Sequence, residues 1–206
     1  WQNRSADAER AYREALAAGC CRPDRIGRRL VELMSRAVAD GAGSEDRANP
    51  VLTPDSLKII DSILESWGAG ATSVAAAKRA SAENYLWAME RKVDWLLEKN
   101  DTTTALDLTR AAKPVLEGTE ERLAVEYFEA LALRQMGQTE DAEALLRVLM
   151  QEWTTHDNLW ARCGWLLGRL SQDQQRPEAA LAFYDEVISA VPAGDVRIAS
   201  DLGKAE

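Results

Sequence analysis

LAVEYFEALALRQMG (123–137), followed directly by QTEDAEALLRVLMQEW (138–153), decides the fold. In the first run Tyr127, Ala130, Leu131 and Leu133 lie on or beside one apolar face, and Gly137 interrupts it. In the second, Ala142, Leu145, Leu146, Leu149 and Trp153 recur at a helical period. Neither helix can bury its apolar stripe alone, so the short turn around Gly137 predicts that the two fold back on each other.

The pattern returns on both sides. Downstream, LWARCGWLLGRL (159–170) leads through SQDQQRP (171–177) to EAALAFYDEVISAVP (178–192). Pro177 suits the first turn of the second helix and Pro192 closes it, because proline lacks an amide donor and opposes helix continuation. Upstream, ENYLWAMERKVDWLLEKN (83–100) precedes a predicted turn at DTTT (101–104) and then ALDLTRAAKPVLEG (105–118). Lys113-Pro114 predicts an end or a kink near Ala112. The interval from Ala105 to Ala142 is 37 residues and from Ala142 to Ala180 is 38. Hairpins recurring at this spacing stack on their neighbours and act by presenting a surface, which puts binding or assembly ahead of catalysis.

At these residues the chain resembles the tetratricopeptide repeat family, whose hairpin carries a small residue in its first helix and small, large and small residues along its second. Here Ala130 and Gly168 match the first small position, each 12 residues before Ala142 or Ala180. Leu146 and Leu149 follow in one copy, Tyr184 and Val187 in the other. The first copy departs more, with Val93 at the small position and then Ala105, Thr109 and Ala112. The family period is about 34 residues, so the extra residues are expected in turns between hairpins, with Thr154-Thr155-His156-Asp157-Asn158 as one insertion. The resemblance covers about residues 83–192 and implies a right-handed stack of antiparallel hairpins, in a repeat region spanning 81–206; with no strand alternation of comparable strength, the fold class is all-α.

Residues 1–80 read as an N-terminal helical extension continuous with the repeats in one elongated domain. ADAERAYREALAAG (6–19) and RPDRIGRRLVELMSRAVAD (22–40) are helical, the latter with a stripe through Ile26, Leu30, Leu33 and Ala37. Gly41-Ala42-Gly43-Ser44 and Asn49-Pro50 mark a break. TPDSLKIIDSILESW (53–67) has a strong start, with Thr53 as cap and Pro54 in the first turn, and buries Leu57, Ile60, Ile63, Leu64 and Trp67. Gly68-Ala69-Gly70 ends it, and an alanine-rich helix from near Ser73 is expected to run into the first repeat.

With 206 residues and 46% apolar content, the chain can bury a sizeable core without disulfides or metals. The net charge is −9; residues 1–50 hold nine Arg and eight Asp or Glu, leaving −10 for the remainder. That balance argues against nucleic acid as a partner of the body of the chain. Arg22, Arg25, Arg28 and Arg29 form a local basic face that reads as a solvated helix surface. No apolar run reaches 18 residues, so no transmembrane segment is expected. Starting at Trp1 rather than Met, the chain reads as a trimmed or mature fragment, compatible with a lost signal peptide or anchor. Cys20, Cys21 and Cys163 are odd in number and form no disulfide framework, which leans towards a reducing, cytoplasmic compartment.

His156 is the single histidine. Beside Asp157 and seven residues before Cys163, it lacks third and fourth ligands at convincing spacing, so no metal, cofactor or catalytic site is expected. Glu120-Glu121 and Glu140-Asp141 read as helix-start carboxylates, with Thr119 and Thr139 as caps. Phosphate-loop, dinucleotide and nucleophile-elbow patterns are missing. The chain reads as non-enzymatic.

The resemblance also implies a groove lined by the first helix of each hairpin. This points to Trp87, Glu90, Asp94, Leu97 and Glu98; to Ala124, Tyr127, Leu131, Arg134 and Gln135; and to Arg162, Trp165, Arg169, Gln172 and Asp173. The partner-binding candidates are Trp87, Glu90, Asp94, Tyr127, Arg134, Arg162, Trp165 and Arg169, acidic at one end and basic at the other. The all-basic carboxylate clamp of chaperone-binding relatives is not matched. Binding of a protein or peptide is the leading reading. Self-assembly as a homo-oligomer, near Phe183, Tyr184 and Val187 or through the N-terminal helices, is the alternative. A small-molecule sensor or an enzyme accessory subunit is a third.

Overall fold

The computed structural model describes residues 2–18, 23–42, 52–68, 75–153 and 158–190, and these form helices with no strand among them. The helices are α1 (Gln2–Ala17), α2 (Pro23–Ala42), α3 (Pro54–Gly68), α4 (Ala75–Glu98), α5 (Thr102–Val115), α6 (Glu121–Gln135), α7 (Thr139–Glu152), α8 (Asn158–Asp173) and α9 (Pro177–Ala190). The all-helical class read from the sequence is therefore what the chain adopts. Expectations at Trp1, Cys20, Cys21, Arg22, Gly43-Ser44, Asn49-Pro50, the 154–157 insertion with His156 and Asp157, and everything after 190 fall outside the described residues, as do the side chains of Ala37 and Trp67. No described helix is long and apolar enough to cross a membrane.

The chain divides into two compact units, residues 1–100 with 114–121, and residues 101–113 with 122–206. In the first, α2 packs against α1, α3 and α4, and α3 packs against α4. Val31 from α2, Ile60 and Ile63 from α3, and Ala88 from α4 form a cluster, with Trp87 and Leu64 packed against it. Full burial of each large aliphatic side chain stabilises by about 1.5–3 kcal/mol. The buried stripe of α2 runs through Leu30, Val31 and Met34, with Ile26 and Leu33 only partly covered. Gly27 permits this packing, because a Cβ there would lie 3.0 Å from Ile59 Cγ2 and 3.1 Å from Ile63 Cδ1. Thr53 caps α3 as expected, its Oγ1 accepting the Ser56 amide at 3.2 Å.

The hairpin turns repeat a single backbone device. Asn100, Gly137 and Gln175 adopt the left-handed region, with φ of 58°, 78° and 58°. At Gly137 the Gln138 amide donates to Leu133 O at 2.9 Å and the Gly137 amide to Arg134 O at 2.9 Å. The same pair recurs as Arg176 to Ser171 at 2.8 Å and Gln175 to Gln172 at 2.9 Å. These are Schellman closures, which satisfy the last carbonyls of a helix and reverse the chain. The turn expected at 101–104 lies instead at Lys99-Asn100. Asp101 Oδ1 accepts the Thr104 amide at 3.3 Å, so the three threonines open α5 rather than precede it.

Two further expectations are corrected. α5 passes Ala112 and ends at Val115, one residue after Pro114, whose missing amide donor and ring oppose a further turn. Thr119 and Thr139 cap nothing: Thr119 Oγ1 donates to Leu116 O at 2.8 Å. The residue preceding α7 is Gln138, which makes no side-chain capping bond, while Thr139 is already inside the helix.

In the second unit, the Arg122–Glu152 ion pair at 2.9 Å joins the start of α6 to the end of α7, as an antiparallel pair requires. Trp160 Nε1 donates to Met150 O at 3.3 Å between α8 and α7. α8 and α9 approach most closely at two glycines. A Cβ on Gly164 would come within 3.0 Å of Val187, and one on Gly168 within 3.0 Å of the Tyr184 ring. Glu143 on α7 accepts from Arg176 at 2.6 Å and from Arg147 at 2.8 Å, tying α7 to the α8–α9 turn. Burial alone would raise the Glu143 carboxyl, but hydrogen bonds from Arg147 and Arg176, and their charges, hold it below its ordinary value.

Gly164→Ala should cost about 1–3 kcal/mol in denaturant unfolding, whereas Ala182→Ser, on the exposed side of α9, should stay within about 0.5 kcal/mol. An unchanged Gly164→Ala midpoint would contradict the close approach. A depressed folded-state pKa stabilises above the unfolded-state value, near about 4.3 for Glu, and that stabilisation is lost as pH falls through the folded value. Urea titrations from neutral pH to about pH 3 should therefore show wild type losing more stability than Glu143→Gln. Parallel losses would contradict the pairing.

Candidate functional site

The eight candidates fall in separate units. Trp87, Glu90 and Asp94 share one face of α4 at helical spacing in the first unit; Tyr127 and Arg134 lie on α6 and Arg162, Trp165 and Arg169 on α8 in the second.

On α4, Trp87 is partly buried against the Val31–Ile60–Ile63–Ala88 cluster. The Arg28 guanidinium covers its ring at 5.4 Å. Arg28 is held by Glu32 at 3.2 Å and Glu83 at 3.1 Å, and donates to Asn84 Oδ1 at 3.3 Å. Asn84, itself buried, donates to Asp24 Oδ2 at 2.9 Å. Arg29 pairs with Glu32 at 2.8 Å. Thus Arg28 serves a helix contact and Arg29 a paired surface position, while Arg25 is exposed. Glu90 is partly buried, 4.0 Å from Arg91, and Asp94 is partly buried and partnered.

In the second unit, Tyr127 is 4% exposed. Its ring packs edge-on to Phe128 at 5.4 Å and lies under the Arg162 guanidinium at 4.9 Å. It therefore forms the floor beneath Arg162 instead of offering its own surface. The α6 helix is unusually closed, with Ala124 through Ala130 all buried, and this enclosure is what takes Tyr127 inside.

Arg162, Trp165 and Arg169 stand three and four residues apart on one face of α8, each partly exposed. Arg169 lies over the Trp165 ring at 5.6 Å. Arg134 spans from α6 to Asp173 at the end of α8, with its Nε and Nη2 both donating to Oδ2, at 3.3 and 2.9 Å. Tyr184 adjoins this group and donates to Gln172 Oε1 at 3.1 Å. Burial pushes its phenol up, Arg169 and Arg134 pull it down and Asp173 raises it, with a raised value the net result.

Two buried carboxylates escaped the sequence reading. Glu126 and Glu129 are 7% and 6% exposed. Arg122 holds Glu126; Arg110 donates to Glu129 at 3.2 Å while the Lys113 ammonium faces its other oxygen. Buried carboxylates persist where cations and hydrogen bonds offset lost hydration. Their signal in the sequence was an acidic residue recurring three apart inside an apolar helix. Among the described residues no group of His, Cys, Asp and Glu is placed to hold a metal ion.

The arrangement comprises two guanidinium–aromatic contacts and an interhelical ion pair, with Arg162, Trp165 and Arg169 partly exposed. No family model matches the chain, and no curated protein matches it. Among solved structures it is similar to a protein of Podosopora anserina described as a kinesin light chain with nearly identical TPR-like repeats. The identity is 15% over 91% of this chain and 94% of that one, with a TM-score of 0.46, and 0.47 for a single-substitution form of the same protein. These values describe a likeness of helical architecture between divergent sequences and assign this chain no partner.

Arg134 and Asp173 are both substantially exposed, so a double-mutant cycle with Arg134→Gln and Asp173→Asn should give a coupling of about 0.2–1 kcal/mol in stability. A coupling above about 2 kcal/mol would make the pair a main tie between α6 and α8 rather than a surface feature.

Proposed function

We propose that this chain is a non-enzymatic helical-repeat scaffold that binds a segment of a protein partner on the α6–α8 side of its second unit. The observation that carries the reading is the pair of cation–aromatic contacts, Arg162 over Tyr127 and Arg169 over Trp165. Trp165 supplies amphipathic contact area at low entropic cost. Trp, Tyr and Arg are the residue types in which binding energy concentrates.

Self-assembly is the second reading. Val187 is buried and Tyr184 packs at Gly168, so the apolar side chains α9 leaves outside are Leu181 and Ile188, 62% and 64% exposed and seven residues apart on one face.

Selection of displayed random peptides on the folded chain tests the leading reading. Peptides should enrich, and Trp165→Ala with Arg162→Ala should weaken them about tenfold or more. Enriched peptides that bind the double variant unchanged, or a failure of any peptide to enrich, would overturn it. Concentration-dependent association lost in Leu181→Glu/Ile188→Glu would favour self-assembly instead.

A further inference from the structure

We infer that the α8 face selects an acidic segment, with a side-chain carboxylate of the partner docking on Arg169 against Trp165; this rests on the scaffold reading above. Three observations point to that chemistry. First, Arg169 is the cation of this face left without a counter-charge: no ion pair joins it to a carboxylate of the described residues, and its Nε has no hydrogen-bond acceptor. Its neighbour Asp173 is paired through Oδ2 with Arg134, which donates from Nε and Nη2.

Second, the unsatisfied group beside it has the same polarity. Trp165 Nε1 also lacks an acceptor. Two covered N–H donors without acceptors represent a standing cost that a ligand oxygen removes, whereas a ligand donor would leave both unmet. Both atoms are shielded in the resting arrangement, so the carboxylate meets the outer guanidinium first and the pair shifts to admit it. Over the indole, with Nε shielded, the planar guanidinium can still make a two-point contact with a carboxylate through its terminal nitrogens.

Third, the local charge opposes the global one. The chain carries −9, yet Arg134, Arg162 and Arg169 share this side with Asp173, while Glu126 and Glu129 are internally paired. At long range the chain repels an acidic ligand, so selection must arise from short-range contacts. The effect of changing Arg169 is then expected in the dissociation rate more than in the association rate.

The test uses the full chain and short amidated peptides prepared in matched Glu, Gln and Lys versions, with binding followed by polarisation of an N-terminal dye. Amidation removes the terminal carboxylate, so only side-chain carboxylates are compared. The Glu version should bind about tenfold or more tightly than the Gln version, and Arg169→Gln should abolish that preference by speeding release. Arg169→Lys keeps the charge but not the planar two-point contact, and should retain a smaller preference. Lys58→Gln, at an exposed site on α3, should change nothing, and thermal unfolding should confirm that each variant is folded. Equal binding of Glu and Gln peptides, or an Arg169→Gln protein that still prefers Glu, would overturn carboxylate selection while leaving the scaffold reading standing. Preference for the Lys version would overturn the polarity of the face. Binding by none of the peptides, joined to no enrichment from the random library, would overturn both.

Discussion

The left-handed residue at the end of a first helix is the constraint from which the repeat follows. Asn100, Gly137 and Gln175 are 37 and 38 residues apart, the same intervals that separate Ala105, Ala142 and Ala180. Each alanine therefore comes five residues after its turn residue, and all three are buried. The coupling is geometric: one residue more or less would rotate the following helix by about 100° and carry the alanine away from its contact. A left-handed conformation costs an ordinary residue about 1–2 kcal/mol, which glycine avoids at 137. At Gln175 the two closing backbone bonds and the Glu143–Arg176 contact offset it.

Small residues then set how closely helices meet, and close approach determines which side chains remain outside. Gly164 and Gly168 bring α8 against α9 and turn Val187 and Tyr184 inward. Arg162, Trp165 and Arg169 lie beside that seam, roughly a third of a turn round α8, and remain partly exposed. A positive face on a chain of net charge −9 is possible because the acidic residues nearest in sequence on α6 are paired internally, and because Asp173 is committed to Arg134.

The architecture was legible because it depends on periodicity and on punctuation: apolar spacing, Pro54 and Pro177 at helix starts, Thr53 as a cap, and Gly137 at a turn. Turn positions without glycine were not. Asn100 and Gln175 carry no obligatory signal, and the Asp101 cap draws DTTT into α5. The candidate site was legible in residue type but not in depth. Tyr127 and Trp165 occupy corresponding positions in the pattern, yet one is enclosed and the other partly exposed, a difference made by neighbouring helices rather than by local sequence. Gly164 carries no signal of its close approach, which depends on Val187 of α9. The burial of Glu126 and Glu129 was not legible because their cations lie on α5 and in the first turn of α6.

The claim that most needs measurement is that unmet donors on α8 are where a partner is held. An ¹H–¹⁵N spectrum resolves the Trp165 indole N–H and the Arg169 Nε–H separately from the backbone, and both can be followed as a selected acidic peptide is added. The account predicts that these two signals move downfield as they gain an acceptor, with the largest backbone changes along α6 and α8. Unchanged side-chain signals, with the largest shifts on α9 around Leu181 and Ile188, would contradict it.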